Sequence, residues 1–332
     1  MFRFANPSDS FIIPLNMSPR GRVARKVFKA FRPIIFVILF VVVSVSVWLV
    51  YSITRPPRSA YLVTPQTFEK VTGPILRATD ATWKNHDGTN ARGWLIKGAD
   101  GAPAVILLHG YGADRSWLLN LAVKLNESTN FTVLWPDLRG HGENPPVRWS
   151  IPGRVDGEDV TAAIDYLKSL KTNAGQPLVA PQIGVYGIEL GAYAALYAAT
   201  LSPDVRALAL DSVPGSPDDL IREAIEKSAG MRSEAFYQLA RAGMRIYGLG
   251  KYRSTLSCEL ASSLRDVRVM LLAGGEGDPW RASTLAVAGC FSMPVEIKKD
   301  LGLTGANLPN STGEQEETYD RPVIEFFDKS LR

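Results

Sequence analysis

Five short apolar runs constrain this chain most strongly. They are APAVILLHG (102–110), FTVLWPD (131–137), IGVYG (183–187), VRALALD (205–211) and VRVMLLAGG (267–275), and each closes on glycine or aspartate. None alternates apolar with polar residues. Each therefore reads as a strand buried on both faces, which requires a mainly parallel sheet covered by helices. The stretches RSWLLNLAVKLNES, DGEDVTAAIDYLKSLK and LGAYAALYAATLS read as those helices. Strands alternating with helices of this length predict a doubly wound α/β domain with right-handed crossovers. A further strand is expected over 293–300.

One interval breaks the rhythm. Residues 214–266 are helical in character, SPDDLIREAIEKSAGMRSEAFYQLARAGMRIYGLG among them, and lie between two core strands. They read as an excursion that caps the carboxyl edge of the sheet, where ligands of open α/β sheets bind. The spacing of Leu220, Ile221, Ala224 and Ile225 gives that excursion a core-facing side.

Ahead of the α/β pattern, Ile34 to Ile53 run for twenty residues without a charge. At about 1.5 Å per residue such a helix crosses a bilayer core of roughly 30 Å. The leader before it and the lack of a small-residue cleavage site argue against a cleaved signal peptide. Arg20, Arg22, Arg25, Lys26, Lys29 and Arg32 precede the span, and only Arg55 and Arg58 follow it closely. The positive-inside rule then predicts a cytoplasmic 1–33 and an extracytoplasmic remainder. Residues 1–58 carry nine Lys/Arg against one acid, whereas 59–332 carry 28 bases against 32 acids. The basic character belongs to the anchor, so nothing points to nucleic acid as a partner of the outer domain. The bilayer is the partner that the span implies.

The expected organisation is thus a basic segment 1–33, a transmembrane helix 34–53, and a linker and start of the ectodomain over 54–81. A domain over 82–332 follows, with 214–266 as its cap. TRPPRSAYLVTPQ, just after the span, reads as a short stiff spacer. Cys258 and Cys290 are too few for a disulfide framework; two small buried residues is the plainer reading, with a disulfide as the alternative. Asn126, Asn130 and Asn310 head glycosylation sequons, which have meaning only in a eukaryotic secretory pathway.

Four stretches, in order and spacing, resemble the α/β-hydrolase superfamily, particularly its serine-aminopeptidase and acyl-esterase branch. They are LLHGYGADR (107–115), PDLRGHGEN (136–144), IGVYGIELGAYAALYAA (183–199) and LLAGGEGDPW (271–280). The resemblance covers roughly 82–332 and implies a nucleophile elbow at Gly187–Gly191. It also implies an oxyanion hole from the backbone amides of Tyr111 and Leu190, and a catalytic acid at Asp278. His109 and His141 are implied to shape loops, and His86 is expected on an edge strand. The catalytic histidine is implied after the last strand, where the matching slot holds Gly305, Ala306 and Asn307.

The elbow residue is Glu189, where serine is expected, and no histidine occurs after His141. A serine nucleophile needs an imidazole to take its proton, so two of three triad positions have changed. Three roles stay open for Glu189: nucleophile, lone general base beside Asp278, or a carboxylate facing a ligand. Two close carboxylates would push one pKa upward unless a cation such as Arg115 enters the site. The glycines and backbone donors that remain argue against simple decay. The first expectation is a membrane-anchored, hydrolase-fold pseudoenzyme that binds a small molecule or protein. An active ester, amide or alkyl hydrolase using Glu189 is the alternative, and a structural module of a membrane complex is the third. No cofactor or metal is expected.

Overall fold

The computed structural model describes residues 19–56, 58, 60–72, 78–144, 150–230, 232–305, 307 and 313–332. Residues 1–18, Ala306 and the Asn310 sequon lie outside them. The chain divides into two units, Met1–Val47 and Trp48–Arg332.

Helix α1 (Pro19–Thr54) carries the apolar stretch. Its part Lys29–Thr54 is long and apolar enough to cross a membrane. Side chains from Ile34 to Val43 are exposed, Phe40 by 72%. A bare apolar stretch of this kind would suit a hydrocarbon surrounding.

The second unit is built on eight strands: β1 (Thr79–Lys84), β2 (Asn90–Ile96), β3 (Ala102–Leu108), β4 (Thr132–Pro136), β5 (Val179–Ile188), β6 (Val205–Asp211), β7 (Arg268–Gly274) and β8 (Val295–Leu301). Their order in the sheet is β1-β2-β4-β3-β5-β6-β7-β8. The first two pairings, β1 with β2 and β2 with β4, are antiparallel, and the rest are parallel. This is the mainly parallel sheet that the apolar runs require. From β3 the chain moves one way to β4, then returns to place β5 on the other side. That reversal opens a crevice beyond the carboxyl ends of β3 and β5.

Helices α3 (Leu119–Thr129) and α10 (Gly313–Leu331) cover one face, and α4 (Arg154–Ser169), α5 (Leu190–Leu201) and α8 (Ser257–Ser263) the other. The core under α3 and α10 joins Trp135, Tyr186, Leu107, Met270, Val323 and Phe327, all fully buried. Between β6 and β7 lie α6 (Pro217–Ala229), α7 (Glu234–Tyr247) and α8, and α9 (Arg281–Ala288) follows β7.

The stretch after α1 is docked rather than free. It contains α2 (Pro65–Thr72). The Tyr61 hydroxyl donates to Asp137 Oδ2 at 2.6 Å, and its ring packs edge-on against Trp94. Arg58 Nη2 donates to the Asn144 carbonyl at 2.8 Å. At the end of α1, Leu49 and Ile53, inside the expected span, are fully buried.

Cys258 and Cys290 correct the plainer sequence reading. They are joined by a disulfide with a Cα–Cα distance of 5.2 Å, and neither is buried. The bond ties α8 to the turn after α9.

Candidate functional site: the elbow after strand β5

Strand β5 ends at Ile188 and α5 begins at Leu190, leaving one residue for the turn. Glu189 makes it with φ 48 and ψ −108, a conformation that a residue with a Cβ rarely adopts. Strain of this kind costs about 1–3 kcal/mol and persists only where the surroundings enforce it. The surroundings do so here. A Cβ at Gly187 would collide with the Gly191 carbonyl, and one at Gly191 with the Leu108 and His109 carbonyls. Glu189 N donates to the Asp211 carbonyl at 3.0 Å, and the Glu189 carbonyl accepts from Tyr193 N at 3.0 Å, opening α5. The amide of Leu190 lies in the first helical turn, where N–H groups have no intrahelical acceptor.

The Glu189 side chain is buried, with 4% of the residue exposed. Its carboxylate lies over the loop after β3: Oε2 is 2.8 Å from where a Gly110 Cβ would stand. That same Oε2 is 3.4 Å from Lys227 Nζ of α6, and Lys227 Nζ is 2.6 Å from Glu223 Oε1. Burial, then repulsion from Glu223, pushes the Glu189 carboxyl up to about 7, with Lys227 opposing. Burial raises Glu223 as well. Two carboxylates thus share one ammonium, and the second oxygen of Glu223 is buried without a hydrogen-bond partner.

The cation at the elbow is therefore Lys227, and the neighbouring carboxylate is Glu223, rather than Arg115 and Asp278. Arg115 is buried elsewhere. It pairs with Asp137 at 3.1 Å and Glu143 at 2.7 Å, and its guanidinium lies 4.5 Å from the Trp94 ring centre. Asp278 takes Trp280 N at 2.8 Å on Oδ1 and the Ser212 hydroxyl at 3.3 Å on Oδ2. Asn307 is exposed, and its backbone N–H donates to the Thr304 carbonyl at 2.9 Å.

None of the three histidines hydrogen-bonds Glu189, although the Nε2 of His141 is buried without a partner. His109 Nδ1 is 2.8 Å from the Gly110 carbonyl and its Nε2 accepts the Leu138 amide at 2.9 Å, so the ring is a neutral brace between two loops. Burial lowers its pKa. His141 is buried, with Nδ1 3.0 Å from the Arg139 carbonyl, and burial lowers its pKa to about 3. His86 sits in the exposed turn between β1 and β2, 2.9 Å from Asp165.

Asp211, at the end of β6, is a site residue that the sequence reading missed. It is fully buried. Its Oδ2 accepts the Tyr319 hydroxyl and the Gly305 amide, and its Oδ1 accepts the Ser212 hydroxyl at 2.8 Å. Burial pushes its pKa up to about 6. The aspartate closing the run VRALALD was the available signal. For Glu223 and Lys227 it was their spacing of four on a helix. Among the described residues, no group of three His, Cys, Asp or Glu side chains could hold a metal ion.

The architecture and the elbow define an α/β-hydrolase-fold protein. The family model described as alpha/beta hydrolase fold matches residues 103–257. The Pyrococcus furiosus esterase Pf2001 superposes with a TM-score of 0.62 at 19% identity, covering 84% of this chain and 98% of that one. In sequence, the chain is 29% identical over 164 residues to the polyketide transferase ATR5 of Stachybotrys chlorohalonatus. It is 28% identical over 122 residues to the thiohydrolase aneE of Aspergillus aculeatus. These matches span 48% and 36% of this chain, and 52% and 36% of the two relatives.

Proposed function

We propose that this chain is a membrane-anchored α/β-hydrolase-fold protein without serine-hydrolase chemistry, which binds a ligand at the carboxyl edge of its sheet. One observation carries the reading. The elbow bears a buried glutamate bridged to Lys227, while none of the hydrogen bonds made by His86, His109 and His141 reaches it. Acyl transfer through a serine needs both the hydroxyl and the base. The basic flank of the span supports a cytoplasmic N-terminus. The Cys258–Cys290 disulfide, reachable from solvent, supports an oxidising compartment for the folded domain.

A second reading has its own support. A carboxyl raised to about 7 suits a general base at neutral pH, so Glu189 would deprotonate a water or a thiol. The names of the relatives then point to acyl thioesters as the substrate class. The deciding experiment is a screen of ester, thioester and amide hydrolysis by the full chain in detergent, beside Glu189→Gln. Binding of acyl compounds without turnover supports the first reading. Turnover that Glu189→Gln abolishes overturns it in favour of the second.

A further inference from the structure

We propose that the turn after α7 is a second contact with the bilayer, so that the carboxyl edge of the sheet, with the Glu189 site, faces the lipid surface. This rests on the membrane-span reading.

The end of α1 marks where the chain leaves the membrane. Trp48 and Tyr51 are 44% and 56% exposed, and the Arg55 guanidinium lies 4.8 Å from the Tyr51 ring centre. Aromatic rings with an adjacent cation are the usual furniture of a membrane–water interface. The Tyr111 hydroxyl donates to the Ile53 carbonyl at 3.0 Å. Tyr111 follows β3 on the loop over which the Glu189 carboxylate lies, so the chain emerges directly at the carboxyl edge.

A short path of contacts leads from there to α7. The Thr54 carbonyl and the Ser150 hydroxyl stand 3.4 and 2.7 Å from where a Gly140 Cβ would lie. Beside Ser150, Ile151 Cδ1 is 3.1 Å from where a Gly248 Cβ would lie. Gly248 begins the turn after α7, and that turn is apolar at its tip: Ile246 is 76% and Leu249 77% exposed. Arg245, Lys251 and Arg253, all exposed, flank the pair. Scattered exposed leucines are ordinary on soluble proteins. Two bare aliphatic side chains with cations on either side in sequence, a few side chains from the end of a span, fit the acyl–headgroup boundary, while Asp87, Glu158 and Asp159 line a cleft beside Leu249 and Lys251. A ligand for the elbow would then arrive along the membrane surface.

The test uses the full chain in vesicles of phosphatidylcholine with a minority of phosphatidylglycerol. Both native cysteines are bonded, so Leu249→Cys can be labelled alone with an environment-sensitive fluorophore. Leu201→Cys is the control: that residue is 51% exposed at the far end of α5, on the opposite edge of the sheet. Blue-shifted emission at 249, strongly quenched by headgroup nitroxide lipids, with neither effect at 201, is the expected result. Equal, solvent-like signals from a chain that resists alkaline extraction overturn this inference alone. Release of the chain by alkaline extraction overturns the span reading and this inference with it.

Discussion

Glu189 Oε2 lies 3.4 Å from Lys227 Nζ, and that ammonium is held more closely by Glu223, at 2.6 Å. The elbow glutamate is therefore the weaker claimant on a shared cation, and it is the more deeply buried of the two acids. This accounts for a carboxyl pushed up to about 7.

A pH dependence of stability follows. In the folded chain Glu189 holds its proton to about pH 7, whereas its unperturbed value is 4.5. Below both values the group is protonated in either state and contributes nothing. Between them the unfolded chain releases a proton that the folded chain keeps, so stability falls as pH rises through this window. The loss is on the order of 3 kcal/mol. Glu189→Gln removes it, so the variant should gain on the parent from pH 5 to pH 8 in thermal melts. Asp156, raised to about 7, slopes the same way in both proteins and cancels in the difference, whereas Glu223 and Asp211, which repel Glu189, lose part of their own slope with it. A constant difference across pH would show that Glu189 keeps an ordinary pKa.

Restoring the expected nucleophile should not restore chemistry. Glu189→Ser places a hydroxyl on the elbow, yet His109 already has partners on both nitrogens, His86 lies in an edge turn, and His141, whose Nε2 is unpaired, is held by the Arg139 carbonyl. Without a base a serine hydroxyl is a poor nucleophile. Glu189→Ser should release no nitrophenol from nitrophenyl esters above the parent rate, and neither protein should react with a serine-directed phosphonate. Labelling of the variant alone would mean that an imidazole reaches the elbow.

The sequence made the sheet interior legible because β3 to β7 are buried on both faces and read as unbroken apolar runs. The edge pair β1 and β2 is harder to read, and only an edge strand at His86 is expected: TDATWK is mostly exposed, and NARGWLI mixes polar and apolar residues although its second half is buried. The elbow was legible from Gly187 and Gly191, whose lack of a side chain the turn requires. Lys227 was not, because its meeting with Glu189 depends on how α6 folds back over the edge. No local periodicity encodes a contact between residues 38 apart. The disulfide is only the alternative reading for the same reason, its cysteines being 32 residues apart.

Breaking the disulfide should loosen the fold measurably. Cross-links closing a loop of this length stabilise by about 3–4 kcal/mol in the chain-entropy account. The cysteines are solvent-accessible, so a mild reductant should reach them without prior unfolding. The paired variant Cys258→Ser with Cys290→Ser should melt several degrees lower, and reductant should bring the parent to the same midpoint. An unchanged midpoint in reductant, with free thiols demonstrated by alkylation, would show that the bond adds no stability.

The position of the Glu189 carboxylate over Gly110 is open to a double-mutant cycle. Gly110→Ala would place a methyl 2.8 Å from Oε2 and 3.3 Å from Cδ, so the carboxylate must move off the loop. Overpacking of this sort costs about 1–3 kcal/mol. In a Glu189→Ala background those atoms are gone and the nearest remaining Glu189 atom, Cβ, lies at 3.6 Å, an ordinary contact. Both backgrounds keep the same positive φ at 189, so backbone strain cancels between them. The two substitutions should therefore be non-additive by about 1 kcal/mol or more in chemical denaturation, because residues in contact couple. The sign is specific: the double variant should be more stable than the sum of the single losses predicts. Additive losses would place the carboxylate away from Gly110 and leave the loop after β3 open to a ligand anion.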